Sequence, residues 1–377
     1  MKNIEKDRYI ATIVLHALGD TIGFRNGKWE FFGFTEFAKT KKINFNLANE
    51  LLYEFIALGG INSINMKNWY VSDDTLLHID VIKGFLESKD ITKVKQNIIN
   101  NFIKTKQKYF DNRINVNREP GITTVKQIEH HEKLSYNDEY DPLGGGNGAA
   151  MRSPVLGLIF HNDLDALINY SIELAKLTHN NPIGYLGAVT TAYFVYLALN
   201  NVHMHEWPYK LIELLEDNKI KKYINKNNNE EKDYNIYVNS WKKYIEMRFD
   251  NKEPIARRSS INIVFRTQFY YDNFVDPSYG FIIGASGYLV NIMAYDALLD
   301  AEDSWEKLVV YSMLHLGDSD TVGCIAASWY GAVYGFGDVP KNSIEHLEFK
   351  QELYNNSEKI YVKYYGYKKS VTLDKNE

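Results

Sequence analysis

Residues 71–80 read VSDDTLLHID, two adjacent carboxylates running straight into an apolar pattern at helical spacing. Ser72 or Asp73 suits an N-cap, and acidic side chains are favoured at the positive end of the helix dipole. That accounts for one carboxylate; forcing Asp73 against Asp74 asks for a further reason. A second stretch, 315-HLGDSDTVGCIAASWYGAVYGFG-337, repeats the arrangement, with Asp318, Asp320 and Thr321 clustered where a glycine-flanked turn meets another apolar helix. Both stretches make an acidic turn the start of a buried helix, and the rest of the chain has the same period. Ile10, Ile13, Val14, Ala17 and Leu18 share one helical face, as do Leu164, Leu167, Ile168, Ser171, Ile172 and Ala175. Further helices are expected near 73–88, 91–110, 204–217, 234–249, 286–301, 304–316 and 321–335, while strand-like alternation is scarce. The fold class is therefore all-α. With no internal repeat or domain boundary visible, one domain over 1–377 is expected, and 225-NKNNNEEKD-233 reads as a solvated surface loop.

A chain of 377 residues is long enough for a substantial core. A net charge of −5 gives no basic excess, so nucleic-acid binding has no electrostatic support. The segment 182-PIGYLGAVTTAYFVYLALN-200 approaches the length of a membrane span, but Gly, Thr and Tyr dilute it and a buried core helix is the better reading. The start MKNIEKDRYI carries charges where a secretion signal needs an apolar core. The single cysteine, Cys324, lies in an apolar small-residue run and reads as a buried structural thiol in a reducing compartment. A cytoplasmic monomer with no membrane and no nucleic-acid partner is expected.

Four glycine-containing turns stand out: 19-GDTIGFRNGKWEF-31, 142-PLGGGNGAAMR-152, 178-THNNPIGYLGA-188 and 284-GASG-287. Such turns let backbone amides face a phosphate or diphosphate, although any one of them also fits a plain connection between helices. Four aspartates flanked by Ser72, Thr75, Ser319 and Thr321 offer only oxygen ligands, which suits Mg²⁺ or Mn²⁺ rather than zinc. If the two acidic turns meet, their carboxylates repel unless cations neutralise them, and a two-metal site holds ions about 3.5–4 Å apart.

The motifs WYVSDDTLLH (69–78), GNGAAMR (146–152), THNNPIGYLGA (178–188), AYDALL (294–299) with SWEKL (304–308), and GDSDT (317–321) with WYGAVYGF (329–336) form a set. Together with GDTIGFRNGKWEF they make the chain resemble the ADP-ribosylglycohydrolase family almost end to end. NGKWEF favours the ADP-ribosylarginine hydrolase branch over the serine-linked one. The resemblance implies a compact all-α fold around a binuclear magnesium centre that contacts the distal ribose. By motif, Ser72, Asp73, Asp74, Asp318, Asp320 and Thr321 correspond to metal ligands, and Glu30 to a glutamate near the substrate ribose. Gly146, Asn147 and Gly148, the Thr178–His179 turn, and Gly284, Ser286 and Gly287 correspond to regions holding the diphosphate and adenosine. Two departures stand out. FIIGASGYL (281–289) replaces a run richer in glycine and serine, which weakens the expected adenosine contacts, and Leu316 stands where relatives carry a second glycine.

The implied reaction is hydrolysis of the bond between C1 of ADP-ribose and an arginine guanidinium on an ADP-ribosylated protein, releasing ADP-ribose, with two Mg²⁺ as cofactors and Mn²⁺ as the alternative. Asp73 or Asp74 would take the proton of the attacking water, and Glu30 would position the ribose or act as a second carboxylate. The residues also carry plainer readings: Glu30 as a surface charge, His16 and His179 as packing histidines, and Trp29, Trp69 and Trp329 as core or rim aromatics. Competing functions are hydrolysis of a serine or O-acetyl-ADP-ribose linkage, and a non-catalytic relative, against which the intact acidic motifs count.

Overall fold

The computed structural model describes residues 4–40, 42–224, 227–255, 262–275 and 282–366. Helices dominate, and the one sheet among the described residues is a two-residue hairpin pairing Phe249 with Pro254 and Asp250 with Glu253. The starts of the helices are set by side chains that take up orphan amides. Ser72 accepts from Asp74 N, Asp90 from Lys93 N, Asp163 from Ala166 N, and Ser286 from Leu289 N. Asn181 accepts from Ile183 N ahead of Pro182, whose missing amide is harmless in a first turn.

Helix Pro182–Leu199 is long and apolar enough to cross a membrane, yet here it is buried along nearly its whole length. It packs on helices Pro154–Ile159, Leu164–Ala175, Asn228–Arg248, Gly287–Ala301 and Ser319–Tyr334, so its apolar run faces protein on every side. Trp29 and Trp329 are wholly buried and Trp69 nearly so, which makes all three core aromatics. The motif residue Asp296 is structural: its carboxylate takes Arg248 Nε at 2.7 Å, Arg266 at 2.9 Å and the hydroxyls of Tyr244 and Tyr270, tying three helices together out of solvent.

The most extensive helix pairing is Ile4–Phe24 against Ser319–Tyr334. A Cβ on Gly19 would stand 2.4 Å from Gly323 O, and one on Gly23 2.2 Å from Ser319 O. These backbones therefore touch directly, and Ser319 Oγ donates to Gly23 O at 2.8 Å. Three expectations are corrected. Gly19–Phe24 is the last part of the first helix rather than a glycine turn, and the turn begins only at Arg25. Residues 228–233 are not loop but the start of helix Asn228–Arg248, because Asn227 accepts from both Asn229 N and Glu230 N; Asn225 and Lys226 lie outside the described residues. The expected 304–316 helix stops at Met313, which frees Leu314–Gly317 for the second acidic turn.

Gly23→Ala puts a methyl where a carbonyl stands, and overpacking of this kind costs about 1–3 kcal/mol. The expected result is a lower urea midpoint with an unchanged slope. A wild-type midpoint would mean that the two helices are not in backbone contact.

Candidate active site

The first acidic turn is held from both ends. Val71 N donates to Glu348 Oε2 at 3.0 Å and Val71 O accepts from Arg118 at 2.6 Å, while Arg118 forks onto Glu348 at 2.7 and 3.0 Å. Asp73 N donates to Arg118 O at 3.1 Å. Asp20, at the end of the first helix, accepts from Ser72 N at 3.0 Å, from Thr75 N at 3.2 Å and from Thr75 Oγ1 at 2.5 Å. Capping of this helix therefore falls to Ser72 and Asp20. The caps of this helix do not use the Asp74 carboxylate, whose Oδ2 instead takes the Cys324 thiol at 3.3 Å.

The second acidic turn is fixed by its neighbours. Asp318 N donates to Ile283 O at 3.0 Å, and Phe31 N donates to Gly317 O at 2.9 Å, which stitches the Glu30 turn alongside. Asp318 Oδ2 accepts from Asn147 Nδ2 at 2.8 Å, and the same amide donates to Gly284 O at 2.8 Å. Gly284 has φ +86°, a conformation that favours glycine, and an added Cβ would press at 3.1 Å on Asp318 Cβ. Thr321 N donates to Asp320 Oδ1 at 2.9 Å. One oxygen each from Glu30, Asp318 and Asp320 lie within 4.8 Å of one another.

Glu30 is buried, not a surface charge, and its Oε2 has no hydrogen-bond partner. Burial is the leading cause that holds the Glu30, Asp73, Asp74 and Asp320 carboxyls well above the usual carboxylate range, and mutual repulsion adds to it. Asp318 is raised for the same leading reason. Asp20 is pushed up to about 6 by burial against its four hydrogen bonds. A set of crowded carboxylates, all oxygen donors, one with an orphaned buried atom, fits a hard divalent cation. Glu30 stands among the expected ligands, not apart from them.

The glycine loops converge on the same place. Gly146 and Ser286 form an isolated antiparallel bridge, Gly287 N donates to Gly145 O at 3.0 Å, and Asn147 N donates to Ala285 O at 3.0 Å. Thr178 and His179 lie behind this wall: Arg152 donates to Gly148 O at 2.6 Å and to Thr178 Oγ1 at 2.7 Å, and Thr178 Oγ1 meets His179 Nδ1 at 2.7 Å. His179 fills the space a Gly148 side chain would need, and burial lowers its pKa to about 3. It packs, as does His16, whose Nε2 meets Met151 O at 2.7 Å. Sequence reading missed Asp20, Arg118 and Glu348, whereas Cys324 is the buried structural thiol it expected, now seen to face Asp74. Only Asp20 had a visible signal, as an acid inside GDTIG.

Carboxyls with raised pKa keep protons in the folded chain at pH values where the unfolded chain, with carboxylates titrating near roughly 4, has lost them. The folded state then binds more protons, so stability falls as pH rises from that point through about 6 for Asp20. In chelator, the melting temperature is expected to decline across that window, and saturating Mg²⁺ to remove the decline. A melting temperature in chelator that does not fall with pH would contradict the crowding.

A family model described as ADP-ribosylglycohydrolase matches residues 1–369. The chain is 31% identical over 383 residues to ADP-ribosylhydrolase ARH1 of Dictyostelium discoideum, covering 93% of this chain and 92% of that one. A protein of Acanthamoeba polyphaga mimivirus, assigned by its name as an ADP-ribosyl glycohydrolase, is 34% identical over 357 residues, 90% of this chain and 67% of its own. ADP-ribosylhydrolase ARH3 of Gallus gallus is 22% identical over 306 residues, 77% of this chain and 78% of that one. A solved structure titled "ADP-ribosylglycohydrolase-related protein complex" superposes with TM-score 0.58 at 16% identity, covering 95% of this chain and 98% of its own, which speaks for the fold alone. On the family match and the long relatives together, the chain belongs to the ADP-ribosylglycohydrolase family of hydrolases.

Proposed function

We propose that the protein hydrolyses the N-glycosidic bond between ADP-ribose and an arginine of a modified protein, in a Mg²⁺-dependent reaction that Mn²⁺ also supports. The observation that carries this reading is the convergence of Glu30, with its unpartnered Oε2, on carboxylates from both acidic turns. NGKWEF and the greater extent and identity of the match to the protein named ARH1 than to those named ARH3 support the arginine linkage.

Ser72, Asp73, Asp74, Asp318, Asp320 and Thr321 would hold the two cations, with Glu30 close enough to join them. Bound there, the cations would supply Lewis acidity toward the ribose diol and a lowered water pKa. The chain's own residues do the rest. Asp73 or Asp74 accepts the proton of the attacking water, a task suited to a carboxylate whose proton affinity burial has raised. Glu30 orients the ribose and faces the positive charge that develops at C1. Asn147 keeps the Asp318 carboxylate turned inward, and Asp20 takes up the amides that Asp73 and Asp74 would otherwise cap. The loops bearing Gly146–Gly148 and Gly284–Gly287 receive the diphosphate and adenosine side, with Thr178 and His179 bracing them. The guanidinium leaves as a neutral guanidine, so no strong general acid is required. The buried free thiol suits a reducing, cytoplasmic setting.

Arginine-modified and serine-modified peptides, assayed side by side with and without Mg²⁺, test the proposal. Faster ADP-ribose release from the arginine peptide, abolished by chelator, is expected; a faster serine peptide would overturn the linkage. Asp74→Asn and Asp318→Asn are each expected to lower kcat by more than about 100-fold, beyond the usual loss from removing an outer partner of a metal ligand. Glu30→Gln is expected to lower turnover while leaving ADP-ribose affinity within about threefold, since the loss falls on the transition state. Unchanged kcat in any of the three would remove that residue from the mechanism.

A further inference from the structure

Helix Asp73–Glu87 opens on the first acidic turn, and farther along it Leu76, Ile79, Asp80 and Lys83 line a separate cleft of about 240 Å³. The other walls come from helix Ile91–Thr105, the π-helical turn Lys106–Phe110 that continues it, and the start of helix Lys350–Ile360. Widened turns of this kind recur at functional sites. No residue of the carboxylate cluster or of the glycine loops lines this cleft. Its volume falls below the roughly 300–1,000 Å³ of sites for drug-sized ligands, so it suits a small molecule.

The cleft has a charged end and an aromatic end. At the first, the buried Asp80 carboxyl accepts from Thr105 Oγ1 at 2.6 Å, and Asn101 Nδ2 donates to Asp80 O at 3.3 Å. Burial pushes Asp80 up to about 7, so only part of a negative charge stands there at neutral pH. Three lysines surround it. Lys83 pairs with Glu352 at 2.8 Å, while Lys104 and Lys108, four residues apart, form no ion pair among the described residues. Glu352 and Asp80 are the only acids in the lining, which leaves a cationic excess. At the other end Tyr109 meets Phe349 edge-on, with ring centroids 6.2 Å apart.

Both aromatic walls adjoin the clamp on the first acidic turn. Phe349 has φ +58°, which a bulky residue rarely adopts, and it follows Glu348, which forks onto Arg118 and receives Val71 N. The Tyr109 ring lies 5.4 Å from the Arg118 guanidinium.

We infer that this cleft binds a small organic phosphate, the phosphate among Lys83, Lys104 and Lys108 and the organic part against Tyr109 and Phe349, and that its occupancy steadies the Arg118–Glu348 clamp and the acidic turn it holds. The coupling rests on the metal reading above; the binding does not.

The test is calorimetric titration of the full-length protein, in chelator, with phenyl phosphate, inorganic phosphate and phenol. Phenyl phosphate is expected to bind at a single site about tenfold more tightly than inorganic phosphate, the scale of burying part of a ring, and phenol not to bind measurably. Lys104→Ala with Lys108→Ala is expected to weaken phenyl phosphate about tenfold, whereas Lys210→Ala with Lys219→Ala, which removes two lysines elsewhere, leaves it within about twofold. Saturating Mn²⁺ is expected to tighten phenyl phosphate about fivefold, the low end of couplings between sites, and the Lys104 and Lys108 substitutions to abolish that gain. The cleft is overturned as a phosphate site if phenyl phosphate does not bind in chelator, if it binds no better than phosphate or phenol, or if the Lys104 and Lys108 substitutions leave its affinity unchanged. No gain with Mn²⁺, or a gain that survives those substitutions, overturns the coupling alone. Failure of Mn²⁺ itself to bind would remove the metal reading and the coupling together, while the titration in chelator still decides the cleft.

Discussion

The direct contact of two helix backbones, Ile4–Phe24 on Ser319–Tyr334, sets the geometry from which the rest follows. Glycine at 19 and 23 lets the carbonyls of Gly323 and Ser319 occupy space that any side chain would fill. The end of the first helix is thereby locked to the start of the other, which brings Asp20 within electrostatic reach of Asp320 even though they come from opposite ends of the chain. The Asp73–Glu87 helix then docks through Asp20, whose carboxylate receives the Ser72 and Thr75 amides. Each step is a hydrogen bond or a close approach, and together they converge three element ends on one small volume.

That convergence is unfavourable in the protein alone. Buried carboxylates are driven toward their protonated forms, and repulsion among Glu30, Asp73, Asp74, Asp318 and Asp320 adds to the desolvation. A fold selected only for stability would place apolar groups there. The surrounding structure instead over-determines the arrangement: the forked Arg118–Glu348 pair holds Val71, Asn147 grips Asp318, and the Cys324 thiol faces Asp74. A hard divalent cation bound there would turn the same crowding into binding energy, which would account for an energetically poor cluster held so firmly.

A helix with a clear apolar face, such as Leu164–Ala175, was legible from its period, whereas Gly287–Ala301 is buried on every side and was legible only as a long apolar run. Lys350–Ile360 was not, because its buried Leu353, Asn356, Ser357 and Ile360 include two polar residues that blur the face. Phe34–Thr40 buries nothing, so no stripe exists to be read. NKNNNEEKD has the composition of a loop, and only the Asn227 cap, a geometric fact, makes its later residues helical. Gly19 and Gly23 read as a turn because the helix they pack on lies far along the sequence. In the site, the paired aspartates declared themselves by crowding. Glu30 is marked by its motif as a carboxylate near the ribose, with a surface charge as the plainer reading, and the fold buries it; Asp20, Arg118 and Glu348 act through partners that no local window contains.

The central claim is that the two acidic turns exist to hold a pair of cations. Electron paramagnetic resonance of the full-length protein titrated with Mn²⁺ tests it without reference to turnover. At saturation the spectrum is predicted to be that of a spin-coupled pair, with ions about 3.5–4 Å apart, and Asp318→Asn is predicted to lose the coupling. A saturated spectrum of isolated, uncoupled Mn²⁺, or no tight binding at all, would contradict the account.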